Sequence, residues 1–71
     1  MNIYSFTGDF DRRAIAAIIK ESGGIVKKFS LETRVLIFGE HAGSALVVAE
    51  FHGIKTMHII EFFNQIHGGM E

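Results

Sequence analysis

Ile3-Tyr4-Ser5-Phe6-Thr7-Gly8-Asp9-Phe10-Asp11-Arg12-Arg13, running on through the Ala/Ile-rich stretch from Ala14 to Ser22 and into Gly23-Gly24, decides the fold. Ile3 to Thr7 is a short run of β-formers and reads as a strand. Gly8 breaks it, and Asp11 is placed to be the N-cap of a helix that opens at Arg12. Ile15, Ile18 and Ile19 recur at helical spacing, and the Gly pair stops the helix. A strand, a glycine turn and a helix N-terminus in that order gather free backbone N–H groups and the positive end of a helix dipole, the ingredients of an anion site. Every strand-to-helix joint of a parallel sheet shares that order, and a lone Thr-Gly falls far short of a phosphate-loop motif.

Working outward, Ile25-Val26-Lys27-Lys28-Phe29 reads as a second strand directly after the first helix, and Ser30 to Thr33 as a polar connection. Arg34-Val35-Leu36-Ile37-Phe38 is the most apolar strand, closed by Gly39. Its apolar run without alternation predicts a strand covered on both faces, as inside a parallel sheet. Glu40 to Gly43 is a loop, and Ser44 is the expected N-cap of a second helix over 45–52. Gly53 ends that helix, and Ile54 to Met57 is a fourth strand. A last helix runs from about His58 to His67, with Ile59, Phe62, Phe63 and Ile66 on one face. Residues 68–71 are expected to be a frayed tail. The order strand, helix, strand, strand, helix, strand, helix favours one parallel α/β sheet with helices on both faces. Periodicity leaves the second and third strands open to two layouts, an antiparallel hairpin or parallel positions on either side of strand one.

The bulk numbers bound the rest. Seventy-one residues make one domain; Met1 just before the first strand reads as a natural start, and a piece cut from a larger protein would look the same. A chain of this size buries only about 60% of its unfolded surface, so its core is marginal. Cysteine is absent, which excludes disulfides and thiolate metal sites. Small domains without such staples rely on dense apolar packing or on self-association, and 48% hydrophobic residues with seven Phe suit both. Seven Lys or Arg against eight Asp or Glu give no global basic surface for counterion-release binding to nucleic acid. No apolar run approaches a membrane span and the N-terminus lacks the build of a signal peptide, so a soluble, cytoplasmic protein is expected.

A series of residues in order along the chain resembles a BRCT domain, over nearly the whole length from Ile3 to about Ile66. The matching positions are Phe6-Thr7-Gly8, Arg12, Gly23-Gly24, Ser30 with Thr33, Gly39-Glu40, Gly43-Ser44 with Leu46 and Ala49, Gly53-Ile54-Lys55, and Phe62. The series looks most like the short BRCT domain at the end of bacterial NAD-dependent DNA ligases. That resemblance implies a four-stranded parallel sheet of order 2-1-3-4, with the first and third helices on one face and the second on the other. It also implies a non-enzymatic module of DNA repair and replication that engages protein partners, phosphorylated peptides or DNA ends, without a cofactor. A bacterial chain would then be nucleoid-associated and a eukaryotic one nuclear.

Phosphate-binding members of that family hold the anion with a Ser or Thr hydroxyl and a Gly N–H after strand one, and with a Lys at the start of the second helix. Thr7 and Gly8 carry over, and Arg12 matches an Arg of ligase-type members. The Lys does not, because Gly43-Ser44 is followed by Ala45; a second family Lys is Val48. A charge-assisted hydrogen bond to phosphate contributes about 1.5–3 kcal/mol, so each lost cation costs tenfold or more in affinity. Asp9 and Asp11 beside the pocket add repulsion, which Arg12, Arg13 and two helix N-termini oppose.

The second helix carries the other signal. At 100° per residue, Ala45, Leu46 and Ala49 fall on one face, while Val47, Val48 and Phe51 fall on another that a lone soluble domain should keep polar. Either this second face docks a protein partner, a second copy of the chain included, or the helix is rotated so that Phe51 packs inward in place of His52. His41, His52, His58 and His67 show no metal-ligand spacing, and no nucleophile, base and orienting residue are grouped for catalysis.

Overall fold

A computed structural model describes residues 2–68. The elements are β1 (Ile3–Thr7), α1 (Arg12–Glu21), β2 (Ile25–Val26), β3 (Val35–Phe38), α2 (Ser44–Phe51), β4 (Lys55–His58) and α3 (Ile59–Gly68). The four strands form one sheet of order β2-β1-β3-β4. Every pairing is parallel: Ile3 opposite Ile25, Tyr4 opposite Val35, and Val35 opposite Lys55. This is the sheet that the resemblance implies, and it removes the hairpin alternative. β2 and β3 lie on opposite sides of β1, so residues 27–34 must cross over β1 to connect them.

That crossing explains a serine in the core. Side chains alternate faces along β1, so Tyr4 and Phe6 point one way and Ser5 and Thr7 the other. Tyr4 and Phe6 pack on a cluster of Ile15 and Ile19 of α1, Ile37, Met57 and Phe62 of α3. Leu36 points to the opposite face, where α2 covers β3 and β4. Leu36 and Ile37, adjacent and facing opposite ways, are both fully buried, as the apolar run predicts. Ser5, also fully buried, lies under the crossing segment. A chain of hydrogen bonds runs from the Ser30 N–H to Thr33 Oγ1 (3.1 Å), from that hydroxyl to Ser5 Oγ (2.7 Å), and from Ser5 to the Lys27 carbonyl (2.8 Å). Ser5→Ala would take the Ser5 donor from the Lys27 carbonyl and leave the Thr33 hydroxyl with no acceptor for its hydrogen, keeping only the bond from the Ser30 N–H. An orphaned buried polar group costs about 1–3 kcal/mol, so the urea midpoint of Ser5→Ala should fall with an unchanged slope.

Several boundaries differ from the sequence reading. β2 is two residues long, not 25–29, because from Lys27 onward the chain turns to cross β1. β3 begins at Val35, although the Arg34 N–H still bonds the Ile3 carbonyl at 2.8 Å. β4 and α3 each start one residue later than expected. Asp11 is the N-cap of α1, its carboxylate accepting from the Ala14 N–H at 3.2 Å. Ser44 is not the N-cap of α2: it is the first helical residue, and the cap is Gly43, which has no side chain to accept a bond. His58 stands before α3, and its Nδ1 accepts the Ile60 N–H at 3.1 Å, a capping role that the sequence reading missed. On α3, Phe62 is buried while Phe63, expected on the same face, is 39% exposed. Of the expected frayed tail, Gly68 ends α3 and the rest lies outside the described residues.

Candidate functional site

In an open α/β sheet ligands bind beyond the carboxyl ends of the strands, at the point where neighbouring strands lead off in opposite directions. Here that point lies between β1, whose helix leads to β2, and β3, whose helix leads to β4. Thr7, Gly8 and Arg12 all sit at this end, as does the loop 39–43 that precedes α2. Two backbone segments meet there. The Gly39 N–H bonds the Thr7 carbonyl (3.1 Å), and the Asp9 N–H bonds the Glu40 carbonyl (2.8 Å). Gly8 takes φ +87°, and a Cβ added to it would lie 2.8 Å from the Glu40 oxygen and 2.9 Å from that of Gly39. A Cβ on Gly39 would lie 2.5 Å from the Asp9 carbonyl oxygen. The crevice between β1 and β3 is therefore closed by the chain's own backbone, and only glycines permit the approach.

Both side chains of the expected anion site have an internal partner. The Thr7 hydroxyl donates its hydrogen to the Ala42 carbonyl at 2.5 Å, which ties the loop before α2 to the end of β1. Arg12 folds back so that Nη2 donates to the Gly8 carbonyl at 2.9 Å, with its guanidinium carbon 5.9 Å from the centre of the Phe10 ring. Asp9 faces His41 at 3.1 Å, an exposed pair in which His41 holds a positive φ of 59°. Exposed pairs of this kind add little stability. Asp9, Asp11 and Glu40 belong to the two segments that meet at this end, and Arg12 and Arg13 follow Asp11 in α1. A hydroxyl that already donates has only lone pairs left to show an anion. We expect the unmodified chain to bind 5′-phosphorylated DNA or a phosphopeptide no tighter than ~10 μM at physiological salt, the range left when few charged contacts remain after ordering costs. Ala45→Lys, which puts a cation at the start of the second helix, should tighten it; a calorimetric titration giving sub-micromolar affinity for the unmodified chain would contradict this.

The second candidate surface is α2. Ala49 is fully buried against the sheet, with Ala45 and Leu46 half-buried beside it. Val47 is 66% exposed, Val48 39% and Phe51 84%, so the rotation that would carry Phe51 inward does not occur. The ring of Phe51 lies edge-on to that of His52, with centroids 5.2 Å apart, in solvent. Helical spacing alone groups these three side chains on one face. What it could not settle was which of two apolar faces the sheet takes, and the sheet takes the alanines because small side chains let an eight-residue helix lie close.

Elsewhere, a cleft of about 180 Å³ lies between the end of α1 and α3, floored by Tyr4, Ile19, Phe62 and Ile66. It is at the opposite end of β1 from Thr7 and holds no acid or cation. Among the described residues no group of His, Asp and Glu is placed to hold a metal, and no helix is long and apolar enough to cross a membrane. No protein-family model, no curated protein and no solved structure matches this chain.

Proposed function

We propose that this chain is a non-enzymatic, BRCT-like interaction module that docks on protein through the outer face of α2, and that its partner is a second copy of itself. The setting implied by the motif series is DNA replication or repair. The observation that carries the reading is the strip Val47, Val48 and Phe51, three large apolar side chains left in water by a domain with little core in reserve. Full burial of such a side chain is worth about 1.5–3 kcal/mol, of which association recovers the part still exposed. The strip contains no charge that would meet its own copy across a two-fold axis, and Val48 stands where the family's Lys would bring two cations together.

The alternative is recognition of DNA ends or phosphate through Thr7, Gly8 and Arg12; against it weigh the Thr7 hydroxyl and the Arg12 guanidinium, which already donate within the chain. The two readings respond oppositely to salt. DNA binding weakens steeply as counterions compete, whereas apolar association does not. Sedimentation equilibrium at several concentrations, repeated at low and high salt, tests the proposal. Concentration-dependent dimerisation that survives high salt supports it, and a monomer throughout contradicts it.

A further inference from the structure

The outer ridge of α2 tapers. On the side of the helix opposite Ala49 lie Ser44, Val47 and Phe51, preceded by Gly43. The ridge thus runs from no side chain, through a small hydroxyl and a valine, to a phenyl ring that is 84% exposed. Val48 and Glu50 flank it on either side. A ridge of this shape fits itself in one orientation only. Turned end for end, the large end of one copy meets the small end of the other and the valines meet at the middle. Set side by side in the same direction, ring would meet ring and Ser44 would meet Ser44, holding the small ends apart.

Building on the docking reading above, we infer that two copies pair α2 against α2 in antiparallel fashion about a two-fold axis. Phe51 of each lies over the Gly43–Ser44 turn of the other, and Val47 lies beside the axis. Electrostatics favours the same orientation. The N-terminus of α2 has no side-chain cap and no acidic residue in its first turn, so no side chain of its own offsets the positive end of its dipole. The reversed pairing sets that end beside the negative C-terminal end of the other copy, whereas the parallel pairing would set two positive ends together. The contact is small. Eight residues span about 12 Å of helix, too short a ridge to bury the ~800 Å² per partner of a standard interface, so the dimer is a weak and exchanging one.

The absence of cysteine makes the orientation directly readable, because a single introduced thiol has only its own copy to pair with. In the antiparallel pair the two Val47 positions face each other near the axis, within reach of a disulfide. The two Ser44 positions stand roughly 10 Å apart along the helix, beyond the ~7 Å Cα separation a disulfide tolerates. Under mild oxidation Val47→Cys should form a disulfide dimer at least ~10-fold faster than Ser44→Cys. Equal rates for the two, or a faster Ser44→Cys, would overturn the orientation while leaving self-docking intact. Failure of both to cross-link at concentrations where the unmodified chain is dimeric would move the interface off this ridge. A chain that is monomeric throughout would instead overturn the docking reading on which the inference rests.

Discussion

Gly8→Ala should destabilise this domain by about 3 kcal/mol or more, lowering its melting temperature by roughly 15 °C. Two penalties add. A φ of +87° costs an L side chain about 1–3 kcal/mol, and the new methyl would lie 2.8 and 2.9 Å from two backbone oxygens that cannot move without opening the β1–β3 junction. A chain of this length has about 4–10 kcal/mol of stability in all, so the loss is a large fraction of it. Gly53→Ala separates the two causes. Gly53 has a similar φ, +72°, but open space around it, so its loss should be about 1 kcal/mol, the conformational part alone. Thermal unfolding of both variants checks this; equal losses would mean that the close approach of Gly8 to Gly39 and Glu40 is unimportant.

That junction marks where sequence reasoning reached its limit. Gly8 was legible as the end of a strand and Gly39 as the end of another, because each follows a run of β-formers. That the two glycines touch was not, since the contact depends on β1 and β3 being neighbours in the sheet. Periodicity allowed a hairpin in place of that arrangement; the motif series pointed to the right order, and the buried Ser5–Thr33 pair shows how the crossing segment is held. The same limit applies to Thr7. A threonine before a glycine at a strand end is a reasonable anion ligand on paper, and only the return of the 39–43 loop reveals that its hydroxyl is bonded to Ala42. That Val47, Val48 and Phe51 share one face was readable from 100° steps alone, but that this face turns outward was not, because a rotated helix with Phe51 packed inward satisfies the same wheel. His58 as the cap of α3 was hidden by a one-residue shift of the helix start.

The second large effect belongs to α2. Phe51→Glu and Val48→Lys should each raise the dissociation constant of the dimer at least ~10-fold, since either puts a charge into a desolvated apolar contact. Neither should disturb the fold. Phe51 makes so little contact with its own chain that the substitution belongs with ordinary surface changes, within about 0.5 kcal/mol. The expected pattern is therefore a soluble monomer with an unchanged melting curve once the dimer's own contribution is removed by dilution. Unfolding of Phe51→Glu would mean that the ring supports the core. Retention of the dimer by both variants would place the interface elsewhere.

Self-docking through α2 is tested most directly by the molar mass of the unmodified chain in solution. The chain weighs 7.9 kDa. Sedimentation equilibrium should give a mean mass that rises from this value toward twice it as concentration passes through roughly 10–100 μM, the range suited to a small apolar contact, and that holds when salt is raised. A mass that stays at 7.9 kDa at ~100 μM and above, at low and high salt alike, would contradict it.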